Sequence, residues 1–323
     1  MFFLVLFKVL GLLPLPALYR VAYAVGDLGY MLFPGVRANV WDNLRHVYPR
    51  GTPKATIRRA ARQVFRNVAL YYADMASLPR INVQELFDKR LAVHGLFELL
   101  IPAAQSGKGV IMMSAHFGNP ELVGQGLIPC GVKVFALTEP LQPPQLSRLL
   151  DGIRSSKGHT FAPVSVGNVK RVMRTLKQGG VVVLMADRDI EGPRMVVPFM
   201  GEDASMPTGP IEVALRTGAI VIPSFTTRNG YMLDAYCEEP LELEKTGDIE
   251  QDVRAGTLKF LERFEKRLRA DPGQWAVLER VWDRGRELGD GKREMRKRKQ
   301  ARGKMGPEAE NTREGASKAV RKR

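Results

Sequence analysis

The chain has 323 residues, 45% apolar and 26% charged, which excludes a disordered protein and suits one large α/β core or two small domains. Its two cysteines, Cys130 and Cys237, lie far apart among apolar residues, so no disulfide framework is implied and a reducing compartment fits. A formal charge of +15 implies an anionic partner, nucleic acid or an acidic membrane surface, without choosing between them.

The first segment, "MFFLVLFKVLGLLPLPALYRVAYAVG", is rich in Leu, Val and Phe, but Lys8 interrupts it and Pro14 and Pro16 break it. A spanning helix needs about 18 or more uninterrupted apolar residues. A signal peptide needs its positive charge first and a small-residue cleavage site last. Residues 1–35 therefore read as a membrane-interfacial anchor, with Lys8 and Arg20 reaching headgroups. The alternative is an N-terminal helix packed on the core.

No internal repeats occur. Thr56 to Leu78 reads as a helix with Ile57, Val64, Val68 and Tyr71 on its apolar face. Arg58, Arg62 and Arg66 form a stripe at four-residue spacing, either solvated or docked on anionic headgroups. Strands and helices then alternate. "LAVHG" leads into a helix near Phe97–Ala104, and the strand Gly109–Ala115 precedes a helix from Pro120. "VKVFALTE" is a strand, Pro144 to Ser156 a helix, "HTFAPVS" a strand and Val169–Gln178 a helix. "GGVVVLMAD" is a buried strand closed by an acid, and "PTGPIEVALRTG" a helix with Thr208 or Gly209 as cap and Pro210 at its first position. "AIVIPSFTTRNGYMLDAYCEEP" has the Asn-Gly turn of a hairpin, and a last amphipathic helix covers about Gln251–Arg269. This order predicts a single α/β domain, residues 36–284, with a mostly parallel central sheet flanked by helices. Residues 285–323 are expected to be a disordered basic tail. From Arg286 onward they carry 14 Lys/Arg against 6 Asp/Glu, with almost no large apolar side chains.

Chemistry enters at "GVIMMSAHFGNPELVG", where an apolar strand delivers His116 at its tip. Asn119 is placed to cap a helix with Pro120 first and Glu121 next. Residues five apart on one helix sit about 140° apart. With His116 on the turn and Glu121 in the first helical turn, however, the side chains can converge. A carboxylate there would fix the imidazole tautomer while the other ring nitrogen takes a proton. Asp187, closing a neighbouring strand, is a rival partner for the same histidine. No Gly-x-Ser-x-Gly elbow or CxxC pair appears, so a serine hydrolase or zinc site has little support. His46, His94 and His159 read as structural, and both cysteines as core.

His116-x4-Glu121, within "AHFGNPELVG", resembles the His-x4-acid motif of the lipid A biosynthesis acyltransferase family. "NLRHVYP", "IRSSKG", "ADRDIEGPRMVVPFMGEDASMPTGP" and "DPGQWAVLERVW" resemble further blocks of that family, over roughly residues 1–283. Asp187-Arg188-Asp189 is closer to its phosphatidylinositol mannoside acyltransferase branch. The resemblance implies an O-acyltransferase at the cytoplasmic face of the plasma (inner) membrane, peripheral or monotopic. It implies no cofactor. The acyl group would pass from acyl-CoA or acyl carrier protein to a hydroxyl of a glycolipid or phospholipid. His116 would be the general base and Glu121 or Asp187 its carboxylate. Arg154 and Arg188 would contact substrate, and the amides of Gly118 and Asn119 would face an oxyanion. Expected partners are an anionic membrane surface, the acyl donor and the lipid acceptor, rather than nucleic acid. The competing expectations are a thioesterase using the same site, and a non-catalytic basic binding protein.

Overall fold

The computed structural model describes residues 2–188 and 192–282. Asp189 and the expected tail lie outside the described residues. Four helices come first: α1 (Phe2–Leu12), α2 (Leu15–Leu32), α3 (Pro34–Val47) and α4 (Lys54–Ser77). There follow α5 (Val83–Arg90), β1 (Leu91–His94), a π-helical turn at Leu96–Leu100, α6 (Ile101–Gln105), β2 (Val110–Ser114) and α7 (Pro120–Gln125). Next come β3 (Val134–Thr138), α8 (Pro144–Ser155), β4 (Thr160–Pro163), α9 (Val166–Lys177) and β5 (Val181–Met185). The chain continues through β6 (Arg194–Phe199), β7 (Glu202–Pro207), α10 (Gly209–Thr217), β8 (Ile220–Asn229), β9 (Met232–Cys237) and α11 (Ile249–Ala270).

Seven strands form the central sheet in the order β1-β9-β8-β2-β5-β3-β4. Every pairing in it is parallel except the β8–β9 hairpin. This is the α/β domain with a mostly parallel sheet that the alternation predicts. The period-2 geometry of strands sorts the continuous apolar runs onto two faces. Ile111, Met113, Val182 and Leu184 join Val172, Ile211, Phe260 and Phe264 from α9, α10 and α11 in one core cluster. Val110 and Val181 pack with Leu96, Leu100 and Leu127 in another. The small β6–β7 sheet, absent from the predicted elements, contributes Val197, Phe199, Ala204 and Met206 to the first cluster.

Helix α4 buries Ile57, Ala60, Ala61, Val64 and Phe65 at helical spacing and receives both N-terminal helices. The contact with α2 is close because Gly26 has no side chain: a Cβ there would lie 2.6 Å from Arg66 Cα. Residues 1–35 thus differ from a simple surface anchor, since Phe7, Leu18, Tyr19 and Ala22 are buried against the domain. The opposite side of the same helices is bare and apolar. Val9, Leu12, Val21, Val25, Leu28, Met31 and Leu32 are all exposed. Among the described residues no helix is long and apolar enough to cross a membrane.

The arginine stripe resolves differently from a headgroup-binding surface. Arg62 and Arg66 both donate to Asp27 of α2, at 2.5–2.8 Å, and hold its carboxyl far below the ordinary range. Arg58 stays exposed. Two guanidiniums facing one partly buried carboxylate serve the α2–α4 packing and are not left free for lipid.

Candidate active site

The β2–β5 register builds the site. Ser114 lies opposite Met185, and the Ala186 N–H donates to Ser114 O at 2.8 Å. Two residues beyond that pair, parallel strands bring His116 and Asp187 together at the same sheet edge. Asp187 Oδ1 accepts from His116 Nδ1 at 2.8 Å, and Oδ2 accepts from the His116 backbone N–H at 3.0 Å. The Trp275 indole N–H donates to the same Oδ2 at 2.8 Å. Asp187 is fully buried, whereas the His116 side chain keeps 30% of its exposure. Burial alone would raise the Asp187 pKa. The His116 ring, the Trp275 indole and the His116 N–H outweigh it and hold the carboxyl below its usual range. Donation to Asp187 puts the proton of the neutral ring on Nδ1 and leaves the Nε2 lone pair for chemistry.

The turn after His116 is clamped on all sides. Gly118 has φ +68°, and a Cβ there would lie 2.4 Å from Thr226 O. Its N–H donates to Gln274 O at 3.0 Å, the Ala276 N–H donates to His116 O, and the Thr226 hydroxyl donates to Phe117 O. The Gly118 amide is therefore committed to the fold, which corrects its expected place in an oxyanion hole. Asn119 caps α7 as expected, its Oδ1 accepting from the Leu122 N–H, while its Nδ2 donates to buried Asp74 at 2.7 Å.

Glu121 does not reach His116 in a bond; it is paired with Arg154. Arg154 is buried and gives Nε to Glu121 Oε2 at 2.8 Å, Nη1 to Asp151 at 3.0 Å and Nη2 to the Tyr71 hydroxyl at 2.7 Å. Tyr71 in turn donates to Glu121 at 2.8 Å. Burial pushes the Tyr71 phenol well up, reinforced by Glu121. Burial opposes the charge on Arg154, but Glu121 and Tyr71 win and raise its pKa. The Arg154 guanidinium is thus engaged on both nitrogen edges by Glu121, Asp151 and Tyr71. Arg188 follows Asp187 directly, is partly exposed, and bonds Glu139 at 2.6 Å and Glu279 at 3.4 Å.

The remaining histidines are engaged elsewhere. His159 Nδ1 accepts from the Val134 N–H and its Nε2 donates to Gly124 O, with burial lowering its pKa. His46 stacks on Trp282, and His94 on Tyr236 beside Asp234. Cys130 and Cys237 are half-buried, so neither is fully in the core. Cys237 lines an apolar cleft with Phe87, Leu96, Met112 and Val183. Ser114, Pro120 and Thr226, which bracket the His116 turn, belong to the same lining.

At the strand ends, then, a buried carboxylate holds a partly exposed imidazole beside an apolar cleft. Residues 1–284 match the family model for bacterial lipid A biosynthesis acyltransferase, and the chain belongs to that acyltransferase family. It is 29% identical over 217 residues to a phosphatidylinositol mannoside acyltransferase of Mycobacterium tuberculosis, covering 66% of each chain, just under two thirds of the relative's length. It is 26% identical over 239 residues to the protein so named in Mycolicibacterium smegmatis, covering 72% of this chain and 74% of that one.

Proposed function

We propose that the protein transfers a fatty acyl group from acyl-CoA or acyl carrier protein to a hydroxyl of a glycolipid, with His116 as general base and Asp187 as its partner. The observation that carries this is the His116–Asp187 pair, with Nε2 free at the sheet edge beside the cleft. In this reading Nε2 takes the acceptor hydroxyl proton as the oxygen attacks the thioester carbonyl. The imidazolium is stabilised by Asp187. As the tetrahedral intermediate collapses, the C–O bond is kept, the C–S bond breaks, and the leaving thiolate receives the proton from Nε2. The acyl chain lies in the apolar cleft, where each buried methylene contributes about 0.8 kcal/mol. Arg188 and Glu139 offer polar contacts to the acceptor headgroup. Relatives named for phosphatidylinositol mannosides support a glycolipid acceptor of that kind.

In the same proposal the exposed apolar side of α1 and α2 rests on the cytoplasmic face of the plasma membrane, where such an acceptor is presented. The test is mass spectrometry of total lipids from cells with and without the gene, and of products from purified protein, a long-chain acyl-CoA and phosphatidylinositol mannoside. A glycolipid one acyl group lighter in the deletion, restored by wild type and not by His116→Ala, is expected. Release of free fatty acid with no acylated lipid would instead make the protein a thioesterase.

A further inference from the structure

Below the His116 turn lies a buried polar cluster to which the transfer chemistry assigns nothing. Asp74 of α4 is fully buried, and so are Tyr19 of α2, Asn119 and Arg228 of β8. Asp74 Oδ1 accepts from the Tyr19 hydroxyl at 2.6 Å; Oδ2 accepts from Asn119 Nδ2 at 2.7 Å and from Arg228 Nη2. Arg228 Nη1 and Arg90 Nη2 each donate to the Tyr19 oxygen at 2.8 Å. Arg228 is held again by Gln274, which exchanges bonds with its backbone N–H and carbonyl while its own carbonyl binds the Gly118 N–H.

Buried ion pairs of this kind are seldom the most stable filling for a core; apolar groups of the same volume often do as well or better. What such a cluster supplies is a single permitted geometry, because every donor and acceptor must be met at once. Asn119 shows this plainly. Its Oδ1 is fixed by the Leu122 N–H, so its Nδ2 must point to an acceptor, and Asp74 is that acceptor. A carboxylate at position 119 would face another carboxylate.

We propose that Asp74 is a positioning residue of the transfer site, holding the turn from His116 to Asn119 through the Asn119 amide and tying it to helix α2 through Tyr19. Asp74 has no bond to His116 and acts only through the turn. Helix α2 is also the helix whose outer side is bare and apolar, so the cluster is a strut between that surface and the reacting imidazole. This rests on the reading of His116 as base.

The experiment is a double-mutant cycle. Asn119→Ser keeps a capping oxygen for α7 but removes the donor to Asp74, and Asp74→Ala removes the acceptor. Each variant should lower kcat on the order of 10- to 100-fold with palmitoyl-CoA and phosphatidylinositol mannoside, with KM within about twofold of wild type. The double variant should be no worse than the poorer single one. Hydrogen exchange should quicken in the peptide covering residues 117–122 of each variant, with β3 and β5 as protected as in wild type. Losses that multiply, or Asn119→Ser with wild-type turnover and exchange, would overturn the proposal. Turnover surviving in His116→Ala would instead remove the base assignment, and the exchange measurement would still decide whether Asp74 holds the turn.

Discussion

Asp187 grips His116 twice, through the ring Nδ1–H and through the backbone N–H, so one carboxylate fixes both the tautomer and the place of the imidazole. The two residues meet because each follows a parallel strand by the same number of residues from the Ser114–Met185 pair.

His116→Ala should therefore reduce acyl transfer on the order of 10²–10⁴-fold without unfolding the protein. Asp187→Asn should also be severe, since an amide can turn its NH₂ toward Nδ1 and favour the wrong tautomer. Steady-state rates with circular dichroism as a fold control provide the check. Either variant retaining more than a tenth of wild-type turnover would remove that residue from the mechanism.

The two arginines should separate. Glu121→Ala leaves the buried Arg154 guanidinium short of its main partner, a change that costs about 3–5 kcal/mol in such settings. Its thermal midpoint should fall by several degrees or more. Arg188→Ala breaks contacts to partly exposed Glu139 and Glu279, so its midpoint should hardly move while KM for the lipid acceptor rises. Calorimetry beside acceptor titrations tests both, and a marked midpoint loss in Arg188→Ala would reverse the assignment.

Much of this arrangement was legible in the sequence, and what was not has definite causes. The strand runs ending at His116 and Asp187 mark a site at strand ends, but only sheet order makes β2 and β5 neighbours. Glu121 looked equally suited by spacing. It turns away because the Asn119 cap sets the direction of α7 and Arg154 offers it a buried cation. The β6–β7 hairpin escaped notice because its two-residue turn is Met200-Gly201, both at positive φ. Asn-Gly or Asp-Gly is the usual signal for that turn, and methionine is an uncommon residue there. Asp74 and Arg228 are 154 positions apart, and no local pattern marks either. Trp275 was visible only as part of a family motif; its indole bond to Asp187 gives that motif a physical reason.

Tyr19 should give the protein an alkaline weakness. Burial first, then Asp74, pushes its phenol up to about 12. The folded value thus lies above the unfolded one of about 10, so the stabilisation is full below pH 10 and disappears as pH rises toward 12. Two pH units correspond to about 3 kcal/mol. Urea unfolding at pH 9 and pH 11.5 should show a larger loss in wild type than in Tyr19→Phe, since Tyr71 and the other raised groups weaken both proteins alike. Equal slopes would mean that the hydroxyl is not held within the cluster.

The bare side of α2 predicts how the protein meets lipid. Val21, Val25, Leu28 and Leu32 recur at helical spacing on that side, whereas Leu18, Tyr19, Ala22 and Gly26 face α4. Replacing Val25 and Leu28 with Asp should weaken flotation with anionic vesicles and leave the thermal midpoint nearly unchanged. In wild type, 1 M salt should release only part of the bound protein, because screening at a Debye length of about 3 Å removes the charge attraction but not the apolar contact. Full release by salt would show that this side anchors nothing.

The cleft should set which acyl chains are used. Val183 stands on β5, two residues before the strand ends and facing the cavity beside Met112, so a larger side chain there takes space from a bound chain without touching His116 or Asp187. Val183→Phe should leave turnover with the shortest effective acyl-CoA close to wild type and depress kcat/KM for longer ones. Losing room for two methylenes, at about 0.8 kcal/mol each, corresponds to roughly a 15-fold change for the longest chains. The measurement is kcat/KM across saturated acyl-CoAs of increasing length, wild type against variant, with a fixed lipid acceptor. A uniform drop at every length would point to a disturbed fold. An unchanged profile would place the acyl chain outside this cleft, and the apolar lining would then need another occupant.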